Sequence, residues 1–523
     1  SVSYLDPQNA EPEWTNNQQV SRQLPLGLGV MRRYGTALLT TLMLLIVPLS
    51  GCLQEDTPID DFDDEGLPDG IFVTGPDGFP VNDLPLPLVF NFSDVGEDGA
   101  EPSIGVTSSG CIFFIAFEKV MRSCDHGESW EDVTGPLCAF QTNDPYGWVD
   151  PVTDRIFNVQ MQGLQTSWIC WSDDDGETWI GNPHDSGTTP LNDHIKLASG
   201  PWTSSGYGIG GQFSQVFYDQ AVYYCYNKLA GIFCFTSFDG GATFEAGGQL
   251  FGLATTNGGL HGAITSAPDG TVYVTPRVET PTVIVSKDNG LTWFDRTMGE
   301  DEGTPYPRKN SEVATDTQSN AYHIWTGADE GVYMATSTDS GQSWTQTSVR
   351  ISPNEVISTA FPQVDAGDPG RIAITYLGSE NSSELNESNI DGEPWDGNAH
   401  YASANVSYYL YVTYSLNALD SNPVFHTVRA SPDPVQIGSI CLNSGDCRDI
   451  GGSNRNLLDF NDLHIDREGR VYIAFADGCT GECATGNNSG PEDSRSRRGI
   501  LCYLGSGPSL LEEFGTLSAF ESQ

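Results

Sequence analysis

The chain has 523 residues, too many for one simple core, which leaves several domains or one large repeat domain. Lys and Arg number 23 against 70 Asp and Glu, a net charge of −47 with a pI near 4.1. A surface of that sign repels nucleic acid and anionic lipid head groups and suits high salt or contact with cations, so nucleic acid is excluded as a partner.

Residues 1–30 carry neither a start Met nor clear periodicity. Met31-Arg32-Arg33 then opens a basic segment, and Ala37 to Leu49 is mostly apolar, which is the layout of an export signal. The apolar run is too short for a comfortable membrane span. It ends in Leu49-Ser50-Gly51-Cys52, which resembles the lipobox of prokaryotic lipoproteins. That resemblance implies lipidation of Cys52, a product starting at Met31, and attachment to a prokaryotic cell surface through the lipid alone; an uncleaved signal anchor is the alternative. Residues 1–51 are thus read as upstream extension plus signal peptide. Residues 52–83 are read as a tether, because Gln54 to Gly70 is acidic with little to bury and predicts disorder.

The repeat unit comes next. Ser172-Asp173-Asp174-Asp175-Gly176-Glu177-Thr178-Trp179 fits Ser-x-Asp-x-Gly-x-Thr/Ser-aromatic, and the pattern recurs from Ser123, Ser237, Ser286 and Ser337. Successive starts lie 49, 65, 49 and 51 residues apart, a period that marks an array of equivalent units. Each copy follows an alternating apolar run such as Thr282-Val283-Ile284-Val285, so it reads as a hairpin turn. Its Asp can accept backbone N–H bonds, its Gly can take positive φ, and its aromatic can wedge against the neighbouring unit.

These five turns resemble the Asp-boxes, or bacterial neuraminidase repeats, of sialidases and other β-propellers. The resemblance covers roughly residues 85–505 and implies an all-β propeller with the boxes on the face away from any active site. Counting inner-strand starts near Glu101, Asp144, His194, His261, Glu312, Phe361 and Asp462 predicts seven four-stranded blades over residues 84–508, with six as the alternative. The seventh unit runs out of chain, and Leu86 to Phe92 is expected to complete it and close the ring. Residues 378 to about 404 are expected to form a long loop in blade six, and residues 509–523 a C-terminal tail.

Eleven cysteines besides Cys52 agree with export. Cys225 with Cys234, and Cys111 with Cys124, face each other across hairpins; Cys441/Cys447 and Cys479/Cys483 are near enough to staple loops, and Cys138, Cys170 and Cys502 cannot all pair. A zinc site at Cys447, Cys479 and Cys483 lacks a His at finger spacing. Asn-x-Ser sequons at Asn91, Asn381, Asn386, Asn405 and Asn487 are compatible with a secreted glycoprotein.

A propeller binds ligands where its inner strands begin. Glu101, Asp144, Glu312 and Asp462 are the candidate catalytic carboxylates there, with His194, His261, Arg277, Arg308, Arg455 and Asn461 as candidate ligand-binding groups and Asp193, Glu279 and Lys309 beside them. Basic residues are scarce in this chain, so their gathering at one rim favours a site, against the alternative that they only offset carboxylates. The family resemblance implies three arginines gripping a sugar carboxylate, a Tyr/Glu nucleophile pair and an Asp acid/base. The opening strand reads Glu101-Pro102-Ser103-Ile104-Gly105-Val106, so the first arginine is absent; Arg277 and Arg308 are candidates for the other two places. Recognition of an extracellular carbohydrate or glycoprotein by a monomer therefore ranks ahead of hydrolysis, with an exo-glycosidase of sialidase or two-carboxylate type as the alternative. No cofactor is expected, apart from a divalent ion at His194 and His261 with Asp144 or Asp462 as a minor reading. The charge also predicts a halophilic or marine protein whose thermal stability rises from low to molar salt; a flat melting temperature across that range overturns this.

Overall fold

The computed structural model describes residues 71–74, 88–142, 144–185, 192–203, 218–228, 231–245, 248–250, 261–276, 280–298, 311–380, 395–442, 454–485 and 495–520. Among the described residues the strands fall into seven antiparallel sheets, and the five four-stranded ones are hydrogen-bonded in chain order from inside to outside. Blade 2 shows the plan, with strands Pro145–Val149, Ile156–Gln162, Thr166–Ser172 and Ile180–Asp185. Its middle strands are buried along nearly their whole length, because a blade is covered on both faces by its neighbours.

The inner strands are Ser103–Val106, Pro145–Val149, Asp193–Gly200, His261–Ser266, Ser311–Thr315, Ser358–Ala366 and Asp462–Ile465. Each packs against the next, and the last packs against the first. That circuit makes the molecule a seven-bladed β-propeller and removes the six-bladed alternative. Close approach is part of the plan: a Cβ on Gly105 would lie 2.4 Å from Val149 Cγ2, and one on Gly147 would lie 2.3 Å from Ile115 Cδ1.

Closure comes from the N-terminal side, as expected. Val89–Asp98 forms the outer strand of blade 7 by pairing with Arg498–Pro508, setting Phe90 opposite Leu504 and Phe92 opposite Cys502. Arg498 pairs with Asp94 at 2.7 Å and Arg497 with Asp98 at 2.7 Å. Within the stretch read as a tether, Ile71–Thr74 pairs with Phe425–Arg429 on the outside of blade 6. Within the expected tail, Thr516–Leu517 pairs with Gly507 and Pro508, and the Phe520 ring stacks on His126 at 3.4 Å. The long blade 6 connection lies between Ile372–Ser379 and Ser407–Ser415.

The five Ser-x-Asp-x-Gly turns share one geometry. In each, the serine hydroxyl donates to the Asp and accepts the glycine N–H, as Ser172 does with Asp174 and Gly176. The Asp also takes the N–H and hydroxyl of the Thr or Ser four residues on, as Asp174 does from Thr178 at 2.8 and 2.6 Å. The turn glycine has positive φ, 86° at Gly176, where a side chain would be strained. The aromatic reaches the preceding blade: Trp179 Nε1 donates to Val133 O, Trp130 Nε1 to Ser93, and Trp344 meets Tyr273 edge-on at 6.2 Å. Blade 6 carries an irregular version outside the strict sequence pattern, with Asn417 in the Asp place, Ser415 beside it and Val424 N–H donating to it.

Cys111–Cys124, Cys225–Cys234 and Cys479–Cys483 are bridged as expected, and Cys138 pairs with Cys170. The bridge at Cys479 removes two of the three thiolates a zinc site there would need. Cys441 is also disulfide-bonded, whereas Cys502 is free and buried.

Ring closure through Phe90, which is 3% exposed, sets the first stability test. Phe90→Ala is expected to cost about 3–5 kcal/mol in urea unfolding, whereas Ile180→Ala, 58% exposed, should stay within about 0.5 kcal/mol of wild type.

Candidate functional site

At the ring axis, chain regions far apart in sequence bring carboxyl groups together. Glu101 enters from the turn before blade 1, Asp144 from that before blade 2, and Asp193 and His194 from the start of blade 3. The connection from blade 6 to blade 7 supplies Arg455, Asp459, Phe460 and Asn461, directly ahead of Asp462. Backbone irregularity aims several of these residues. Glu101, His194 and Phe361 all have left-handed φ, at 52°, 49° and 55°. Strand pairing shifts register between Asp193 and Lys196, between His261 and Ile264, and between Ala360 and Gln363. Bulges of this sort turn side chains out of the regular alternation and gather at functional sites.

Asp459 is the hub of the outer part. Arg455 grips both of its carboxylate oxygens in a fork, and His194 Nε2 lies 3.4 Å from Oδ2. Burial alone would raise its pKa, but Arg455 and His194 hold it well below the usual range, so it is an anion. Glu101 is 4% exposed; burial, then Asp459 and Asp144, push its pKa well up, and its hydrogen bond to Asp459 is that of a protonated acid donating to a carboxylate. Asp144 is raised in the same way by burial and by Asp193, with which it shares a second carboxyl–carboxyl hydrogen bond.

The inner part is built on Lys196, which is 5% exposed. Its ammonium lies 3.2 Å over the Phe460 ring and 4.7 Å over the Tyr146 ring. Burial lowers its pKa, and Glu312 and Asp462 lead the carboxyl groups that oppose this. Glu312, itself 5% exposed, is pushed up to about 8 chiefly by burial; Lys196 and a hydrogen bond from Gln363 restrain the rise. Asp462 is pushed up by burial to about 6 while its oxygens accept the Ile104 N–H at 2.8 Å and the Leu463 N–H at 3.0 Å. Glu312 Oε1 and Asn461 Nδ2 are buried without a hydrogen-bond partner among the described residues. Further along the axis, burial raises Asp365 to about 7 and lowers His464 to about 4.

The structure therefore gathers Glu101, Asp144, Glu312, Asp462, His194, Arg455 and Asn461 around one axis. Arg455 is spent on Asp459, which is the offsetting role rather than the ligand-gripping one. His261 begins the inner strand of blade 4. Its side chain, together with Arg277, Glu279, Arg308, Lys309 and Cys52, lies outside the described residues. The sequence reading stopped at the strand starts and so missed Tyr146, Lys196, Gln363 and Asp459. For Lys196 there was a signal: a lysine flanked by Ile195 and Leu197 inside a strand covered on both faces must be buried and paired. Among the described residues no group of His, Cys, Asp and Glu has the arrangement of a metal site.

No family model matches the chain, and no curated protein matches it. Solved structures do resemble it. YCF48 from Cyanidioschyzon merolae is 8% identical with a TM-score of 0.43, over 79% of this chain and 98% of that one. The Aleuria aurantia lectin, described as a six-bladed β-propeller with a fucose recognition mode, is 13% identical with a TM-score of 0.37, over 60% and 93%. An α-L-arabinofuranosidase from Fusarium graminearum is 12% identical with a TM-score of 0.38, over 66% and 97%. At these identities and scores the likenesses say nothing of this chain's ligand or reaction.

The raised carboxyl groups make stability depend on pH. A carboxyl whose folded pKa exceeds its unfolded value stabilises the fold fully below the unfolded pKa, and that contribution is lost as pH rises through the folded value. For Glu312 the window runs from the ordinary glutamate value of 4.5 to about 8. The unfolding free energy should fall with pH across it, and Glu312→Gln should flatten the slope by up to one proton, about 1.4 kcal/mol per pH unit. Urea melts at several pH values check this; a slope unchanged in the variant refutes it.

Proposed function

We propose that the protein is an exported, lipid-anchored propeller that recognises or processes extracellular carbohydrate through the axial cluster. The observation carrying this reading is the mixture of groups there. The protonated acids Glu101 and Glu312 can each donate and accept, as can the amides of Asn461 and Gln363, and the Phe460 and Tyr146 rings lie among them. Such a set matches the alternating hydroxyl and C–H surfaces of a sugar. Binding as a monomer at the cell surface, with Cys52 as the lipid attachment point, fits the sequence signals. A grip on a sugar carboxylate is disfavoured by the missing opening arginine, by the engagement of Arg455 with Asp459 and by the negative charges of Glu312 and Asp462 near Lys196.

A second reading, two-carboxylate glycoside hydrolysis, has one observation in its favour. Glu312 at about 8 and Asp462 at about 6 are pushed to different values, so near neutral pH one is an acid and the other largely an anion.

A glycan array and a panel of fluorogenic aryl glycosides, including a sialoside, separate the readings. Binding without turnover is the expected outcome for a recognition module. Turnover of a neutral glycoside that Glu312→Gln lowers by about 10²–10⁴-fold assigns the enzyme instead. A blank array with no turnover overturns both.

A further inference from the structure

The carboxyl surplus at the axis points beyond carbohydrate in general. Among the described residues Glu101, Asp144, Asp193, Asp459, Glu312 and Asp462 interact there through hydrogen bonds or charge. Of the described cations facing them, Arg455 forks onto Asp459, while Lys196 sits over the Phe460 and Tyr146 rings and feels the charges of Glu312 and Asp462. Protons on Glu101 and Asp144 still leave four carboxyl groups facing these two cations, so the site has room for a further positive charge. Independently of the charge count, among the described residues Glu312 Oε1 is an acceptor on a side chain 5% exposed that meets no donor, and Asn461 Nδ2 is a donor on a residue 2% exposed that meets no acceptor. A buried group of this kind costs free energy unless something outside the protein completes it. The site already houses one primary ammonium, that of Lys196, above Phe460 and Tyr146.

We infer that the axial site takes a sugar bearing a free, protonated amine, whose ammonium donates to the unfilled Glu312 oxygen while a neighbouring hydroxyl or ring oxygen accepts from Asn461. The inference rests on the carbohydrate reading above and narrows it. An N-acetylated sugar brings no charge, and a uronic or sialic acid brings the wrong one. Ammonium binding ionises acids that are protonated in the empty site, so it releases protons. The groups facing that event are Lys196, Asp462 and Gln363 around Glu312, with Asp459, Asp144 and Arg455 around Glu101. The overall charge of −47 attracts such a ligand from a distance, more weakly as salt is added.

Titration calorimetry of the full chain tests this with fully deacetylated chitotriose and its triacetylated counterpart, each in two buffers of different protonation enthalpy. The expected result is a deacetylated trimer bound about tenfold or more tightly, with net proton release. Glu312→Gln should abolish most of that preference, and Glu128→Gln, an exposed carboxylate on a Ser-x-Asp-x-Gly turn, should leave it intact. Equal or tighter binding of the acetylated trimer overturns the inference and leaves the carbohydrate reading standing. So does failure of both trimers where the glycan array is positive. Failure of both trimers with a blank array removes the carbohydrate reading itself. A preference unchanged in Glu312→Gln also overturns the inference, and far-ultraviolet circular dichroism and the melting temperature confirm that each variant is folded.

Discussion

Convergence of the inner strands is the constraint that everything else obeys. Seven short strands packed edge to edge in a closed circle point their first residues at a common axis, where solvent is scarce and the walls are other strands. Any charge placed there must be neutralised locally, because burying an unpaired ion costs far more than a single contact returns. Arg455 neutralises Asp459, Lys196 serves Glu312 and Asp462, and protons neutralise much of the rest. The ring itself depends on the strand Val89–Asp98, which joins the two ends of the chain in blade 7 so that the circle needs no open edge.

Blade count and closure were legible in the sequence for a local reason. The core of the Ser-x-Asp-x-Gly turn completes itself within eight residues, because the serine, the aspartate and the glycine satisfy one another, while the aromatic and the variable positions reach neighbours. A motif that closes on itself looks the same in every copy. Closure was legible by subtraction, since a seventh unit short of one strand and an apolar stretch without a blade imply each other.

The axis was only half legible. Glu101, Asp144, Glu312 and Asp462 lie at strand starts, which counting finds. Lys196, Tyr146 and Gln363 lie inside strands, where alternation would say which face each occupies if pairing were regular. It is not regular: His194 and Phe361 adopt left-handed φ, and pairing slips beside them. Asp459 was hidden for another reason, since it sits in an interblade connection whose path is fixed by the Arg455 guanidinium donating to the Cys441 and Leu458 carbonyls rather than by any periodic pattern. Such contacts are tertiary and leave no spacing to read.

Aspartate has opposite tasks in the two places. In the turn of blade 2, the Thr178 hydroxyl and N–H hold Asp174 below its ordinary pKa, so the charge is stabilised by four atoms of its own hairpin near solvent. At the axis, burial and a neighbouring carboxyl drive Asp144 the other way and make the neutral acid the stable form. An aspartate in the turn is therefore indifferent to ligand, because its partners are built in and adjacent in sequence. An aspartate or glutamate at the axis has partners that come from other blades and a protonation state that a newcomer can change. That difference, rather than the acidity of the chain as a whole, marks the axis as the place where binding can be felt.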